Sequence, residues 1–197
     1  MFDDKAQMHT LEGVAAATIM LLVIVYAIDA TSMTPLTSST ANVHVETELQ
    51  VIGQDMLGAL DYAEPGYNSK LKNDVLTWNG KEYTWNGTKY MEKGNASYLQ
   101  NNLTNNLTNL LNATLITQGI AHNVELTFLA NNGTTYVTQR MIYNGNPSEN
   151  AVIVSRKIAL HNDDINKTKL PNNPINDIDS STDLYNIVDV KLILWRM

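Results

Sequence analysis

Residues 5–30 read KAQMHTLEGVAAATIMLLVIVYAIDA, the longest apolar run in the chain. No charged residue lies between Gly13 and Ile28, while Glu12 stands just before that run and Asp29 just after it. The uncharged part is short for a membrane span, which needs about 17–25 residues. Counting from Leu11 to Ala30 reaches 20 residues, but only by taking in both acids. An acid at the edge of a hydrocarbon layer is expensive to keep and tends to serve a function. Three readings fit the stretch. It is a secretory signal peptide removed after export, an uncleaved signal anchor, or an assembly helix whose short leader is cut on the cytoplasmic side, so that the apolar run stays in the mature chain. The exit Ile28-Asp29-Ala30 is a poor small-x-small site, which counts against the first.

The charges around the stretch give it a direction. Lys5 precedes the uncharged apolar run, and the next Lys or Arg is Lys70. That asymmetry favours a cytoplasmic N-terminus and an exterior C-terminal part. The whole chain has 197 residues, room for one modest domain beyond the helix. With 13 basic and 20 acidic residues its net charge is −7, which argues against nucleic acid as a partner. The acidity falls short of that of proteins adapted to high salt. There is no cysteine, so disulfides, thiolate metal sites and a cysteine nucleophile are excluded.

Seven Asn-x-Ser/Thr triplets begin at Asn86, Asn95, Asn102, Asn106, Asn112, Asn132 and Asn166; Pro147 disqualifies Asn146. A chain with 24 Asn and 29 Ser plus Thr in 197 residues yields roughly three or four by chance, so the pattern is enriched about two-fold. All seven lie beyond residue 85. They point to a glycosylated exterior domain, because N-glycan acceptors sit on exposed parts of exported proteins.

After the apolar run, residues 31–40 are rich in Ser and Thr around Pro35, so a helix should kink or loosen there. From Ala41, Leu49, Ile52, Met56, Leu57 and Leu60 recur at spacings of 3, 4, 1 and 3, one apolar helix face suited to cover a sheet. Glu64-Pro65-Gly66 ends that helix. Residues 75–92, VLTWNGKEYTWNGTKYME, repeat Thr-Trp-Asn-Gly seven residues apart and predict a small meander carrying Trp78 and Trp85. Such a pair is a sugar-stacking platform or, more commonly, strand packing. Leu99, Leu103, Leu107, Leu110, Leu111 and Leu115 predict an amphipathic helix over 97–117.

Alternation then predicts strands over 121–130, 134–143 and 151–160, a polar surface loop over 161–182, and a last strand over 184–195. Tight turns between them argue antiparallel pairing. Val188, Val190, Leu192 and Leu194 share one face of the last strand, and Ile187, Ile193 and Trp195 the other, as in a strand buried on both sides.

Little in the chain points to catalysis. His9, His44, His122 and His161 are scattered, without ligand spacing. Asp163-Asp164 and Asp177, Asp179 and Asp183 offer oxygen ligands for calcium but lack EF-hand spacing, and a solvated acidic loop is the simpler reading. No phosphate loop, nucleophile elbow or catalytic pair is present. We therefore expect no catalytic residue, cofactor or metal, and a protein that is not an enzyme.

Lys5-Ala6-Gln7 resembles the processing site of archaeal class III signal peptides, which carry a basic residue, a small one, often Gln, and a Glu shortly after. Glu12 resembles that Glu. A cut after Ala6 makes it the sixth mature residue; a cut between Gln7 and Met8 makes it the fifth, with Gln in the place of the usual small residue. The stretch LEGVAAATIMLLVIVYAIDATSMTPLTSSTANVHVE, the later MIYNGNPSENAV and the closing LYNIVDVKLILWRM resemble a family of small, uncharacterised archaeal pilin-like membrane proteins best known from haloarchaea.

The resemblance implies an α+β fold: a long N-terminal hydrophobic helix, kinked or interrupted near Pro35, followed by an antiparallel β-sheet ectodomain. Residues 1–6 would be the leader, 7–30 the transmembrane or assembly helix, 31–63 linker and amphipathic helix, and 64–197 the glycosylated β-rich ectodomain. It implies a structural subunit of a type IV pilus-type surface filament or its assembly or secretion machinery. Its partners would be other pilin-like subunits through the N-terminal helix, a prepilin peptidase, an assembly ATPase, a platform membrane protein, and membrane lipid before assembly. Glu12 would neutralise the freed α-amine of a neighbouring subunit. The alternative is an uncleaved, membrane-anchored ectodomain acting as a surface binding or adhesion module.

Overall fold

The computed structural model describes residues 12–25, 40–94, 101–130, 133–169 and 172–196. The chain divides into two compact units, Met1–Val43 and His44–Met197. In the first, residues 12–25 are helical (α1) and exposed throughout. The 14 described residues of α1, at about 1.5 Å each, give ~21 Å against a hydrocarbon core of ~30 Å. No helix among the described residues is long and apolar enough to cross a membrane. The long N-terminal hydrophobic helix is thereby corrected: the apolar count over 7–30 exceeds the helix that is described. Pro35 lies outside the described residues.

The second unit is built on one seven-stranded sheet. Its strands are β1 (Tyr83–Trp85), β2 (Tyr90–Glu92), β3 (Asn102–Leu103), β4 (Ile120–Leu129), β5 (Tyr136–Ile142), β6 (Val152–His161) and β7 (Leu184–Arg196), in the order β3-β2-β1-β5-β4-β7-β6. The expected antiparallel sheet is corrected to a mixed one, because β1 runs parallel to β5 through the pair Tyr83↔Ile142. Turn signals between neighbours in sequence report hairpins only. A parallel pair needs a crossover of a dozen or more residues, and residues 86–135 supply it here. The other pairs, β1–β2, β2–β3, β4–β5, β4–β7 and β6–β7, are antiparallel. The last strand lies between β4 and β6, and Val188, Val190, Leu192 and Leu194 are fully buried.

Helix α2 (Thr40–Asp61) covers the sheet through the face its spacing predicts: Leu49, Met56, Leu57 and Leu60 are buried and Ile52 partly so. Gly53 is what lets it come close. A Cβ there would stand 2.5 Å from Val154 Cγ2 and 3.0 Å from Leu194 Cδ1. Val154 is β-branched and has little room to turn away. Gly53→Ala should therefore lower stability by about 1 kcal/mol, overpacking outweighing the gain in helix propensity. A double-mutant cycle of thermal melts with Val154→Ala should show coupling between the two sites; additivity would refute the contact.

Three segments depart from local expectation. Residues 70–76 form helix α3 (Lys70–Leu76), capped by Ser69, whose hydroxyl oxygen accepts from Lys72 N at 3.1 Å. Trp78 follows α3 in a loop rather than on a strand, is fully buried, and its Nε1 donates to Lys81 O at 2.9 Å. The leucine-rich stretch is split: Leu103 lies in β3, and α4 (Asn106–Thr114) starts only after a capping box between Asn105 and Thr108. The polar stretch 161–182 contains helix α5 (Asn162–Thr168) and a buried anchor. There Asn173 Nδ2 donates to Val75 O (2.7 Å) and Leu76 O (3.1 Å), and Ile175 is buried.

Candidate functional site

Two features stand out, one in each unit. The first is α1. Val14, Ile19, Met20, Leu21, Leu22, Val23, Ile24 and Val25 are all exposed, Val14 at 68% and Leu22 at 64%. From residue 19 onward the apolar side chains are consecutive, so they point to every side of the helix instead of one stripe. Glu12 is its first described residue and is exposed. Lys5, Ala6, Gln7 and Met8 lie outside the described residues.

The second is the neighbourhood of Trp85. Tyr90 and His122 come from β2 and β4, and their Oη and Nε2 atoms are 2.7 Å apart in the core. Burial pushes the His122 imidazole down to about 4, so the ring is neutral. Nδ1 lies 3.4 Å from Ile120 O. A proton on Nδ1 therefore faces that carbonyl, and Nε2 accepts from the tyrosine; the tautomer is assigned from this network. Burial also raises the Tyr90 phenol, which keeps it a donor. The Trp85 ring lies 5.0 Å from that of Tyr90.

Asn144 ties the strands together: its Oδ1 accepts from Trp85 N at 2.8 Å and its Nδ2 donates to His122 O at 2.7 Å. Trp85 is half-buried and borders two cavities. One, of about 240 Å³, is walled by Ile116, Ile120, His122 and Asn144. The other, of about 150 Å³, is bordered by Thr88, Thr104, Thr108 and Asn112.

The sequons meet at that second cavity. Thr88, Thr104 and Thr108 are the acceptor threonines of Asn86, Asn102 and Asn106, and Asn112 is itself an acceptor. A hairpin turn, the short strand β3 and helix α4 thus bring four triplets to one place. Their amides are differently engaged. Asn86 Oδ1 accepts from Thr88 N, Thr88 Oγ1 and Lys89 N at 2.9–3.0 Å, holding the β1–β2 turn. Asn102 Nδ2 donates to Thr104 Oγ1 at 2.9 Å. Asn106 Nδ2 donates to Asp74 Oδ1 at 2.9 Å, and Thr108 is buried. Asn112 is exposed on α4. Asn166 lies in α5, and Asn95 and Asn132 lie outside the described residues.

Sequence reasoning missed Asp74. This buried carboxylate caps α4, with Oδ2 accepting from Leu107 N at 2.7 Å, and burial holds it above the usual carboxylate range. It lies 33 residues from that amide, beyond any spacing rule. Among the described residues no group of three or more His, Cys, Asp or Glu side chains is placed to hold a metal ion.

A mixed-sheet α+β unit joined in one chain to an apolar helix is thus the class of protein these features define. The chain belongs to DUF7288, a family of unknown function that matches residues 5–194. No curated protein and no solved structure matches it.

Proposed function

We propose that this chain is a pilin-like structural subunit of an archaeal surface filament or of its assembly machinery. The observation that supports it is α1, apolar on every side and exposed throughout. A surface helix of a self-sufficient domain has one apolar stripe; a helix apolar all round needs apolar surroundings on all sides. Copies of α1 from other subunits supply them in an assembly, and lipid supplies them before it. The sheet unit then faces the exterior, in keeping with the enriched sequons. A prepilin peptidase removes the leader at Ala6-Gln7 or Gln7-Met8, and an assembly ATPase and a platform membrane protein add the subunit to its neighbours. Glu12 pairs with the α-amine freed on the next subunit, and the protein has no catalytic role.

N-terminal sequencing of the protein from its own cells tests this, together with Glu12→Gln. The expected mature chain begins at Gln7 or Met8. The variant, with its leader cleaved, should collect in the membrane fraction and be missing from the sheared surface fraction. A chain that still begins at Met1 or Phe2 would turn the reading to an anchored binding module. Normal release of Glu12→Gln would remove the pairing role of Glu12.

A further inference from the structure

We infer that Asn112 carries an N-linked sugar whose first ring lies on the indole of Trp85. This rests on the reading that the sheet unit faces the cell exterior, where sugars are attached. The residues concerned are separated in sequence, and only the fold brings them together. Asn112 and Trp85 border the same cavity of about 150 Å³. One water needs about 10–15 Å³ of such space, so the cavity has room to receive one face of a pyranose ring. Trp85 presents an aromatic wall that its packing against Tyr90 leaves half-exposed. A pyranose has an apolar C–H face and hydroxyls around its rim. Its C–H face removes indole surface from water, and its hydroxyls meet Thr88, Lys89 and Thr104 at the cavity's edge.

The states of the four amides select the carrier. Modification joins Asn Nδ2 to the anomeric carbon of a sugar activated on a lipid phosphate. The C–O bond to phosphate breaks, the lipid phosphate leaves, and Nδ2 gives up one proton. Asn106 Nδ2 is committed to the buried Asp74, and its acceptor Thr108 is buried with its hydroxyl donating to Asn105 O at 3.0 Å. Asn102 Nδ2 is committed to its own acceptor Thr104. Asn86 stands at the cavity through Thr88 alone, and its carbonyl holds the turn. Asn112 is exposed and is the acceptor asparagine that itself borders the cavity.

Tryptophan fluorescence gives a readout specific to this contact. Of the chain's three tryptophans, Trp78 and Trp195 are buried and Trp85 is half-exposed, so acrylamide quenching reports Trp85. Protein purified from its own cells should show a sugar on the Asn112 peptide by mass spectrometry and a Trp85 shielded from acrylamide. Asn112→Gln, and independently Thr114→Val, which removes the acceptor motif but keeps Asn112, should lose the sugar mass and the shielding together. Trp85→Phe should abolish the difference in quenching while leaving the sugar in place. An unmodified Asn112 overturns the inference, as does a modified Asn112 with quenching equal to that of the variants. If Asn112 is bare in a protein that still enters the sheared fraction, the filament reading survives and this inference does not. A sugar on Asn112 in a chain that never leaves the membrane gives the converse.

Discussion

A chain cut after Asp183, without residues 184–197, is expected to lose its cooperative melt. The deletion removes β7 and both of its ladders, to β4 and to β6. Val188, Val190, Leu192 and Leu194 go with it, all fully buried. Four such side chains at about 1.5–3 kcal/mol each amount to about 6–12 kcal/mol, against a typical total stability of about 5–15 kcal/mol. The loss does not stop there. β6 stands at the sheet's edge with β7 as its neighbour, so its ten residues are left without a ladder. Circular dichroism of the truncated chain during heating should show a broad drift with no transition. A sharp transition would mean that β1–β5 and the helices suffice for a core, contrary to the burial seen here.

Acid should weaken the sheet unit through His122. Its imidazole is held down to about 4 by burial, while in an unfolded chain it titrates near its ordinary value of 6.5. Between those two values the unfolded state binds a proton that the folded state does not. Stability therefore falls as the pH drops through that window, and the loss levels off below the folded value. Over about 2.5 units at about 1.4 kcal/mol each, the loss is about 3 kcal/mol. Asp74, whose carboxyl is raised by burial, acts in the opposite sense as it takes up a proton in the folded state. The two are separated by comparing urea titrations of the parent and of His122→Gln at neutral and acidic pH. The variant should lack the His122 share of the acid loss, and two parallel pH profiles would count against the neutral, buried imidazole.

What could be read from the sequence was local. The apolar face of α2 follows from the spacing of Leu49, Met56, Leu57 and Leu60, and the burial of β7 from its alternation on both faces. The β4–β5 hairpin announces itself by alternation on either side of a turn. What escaped depends on partners far away along the chain. Residues 70–76 carry too few apolar positions to announce a helix, yet Asp74 and Val75 serve α4 and Asn173, which lie 32 or more residues on. The polar stretch 161–182 looks like solvated loop because its anchoring is done by Asn173 reaching backbone carbonyls, a contact that hydropathy does not register. The parallel join of β1 to β5 has no turn to signal it. At the candidate site the individual triplets were legible and their convergence on Trp85 was not, since convergence is a property of the topology.

That join has a consequence for how the sheet opens. β4, β5, β6 and β7 are held by long ladders, whereas β1 meets β5 through one register pair and the bond from Tyr143 N to Tyr83 O at 2.8 Å. Backbone bonding alone would let the β1–β3 ribbon detach without disturbing the other four strands. What restrains it is side chains: Tyr83 and Tyr90 buried in the core, and Asn144 and His122 bonded across the seam. Amide protons of the ribbon should therefore exchange with solvent as a cooperative group of their own, at a lower opening free energy than those of β4 and β7. By its hydrogen bonds the sheet is a single object; by its exchange behaviour it should be two, with Trp85 on the one that opens first.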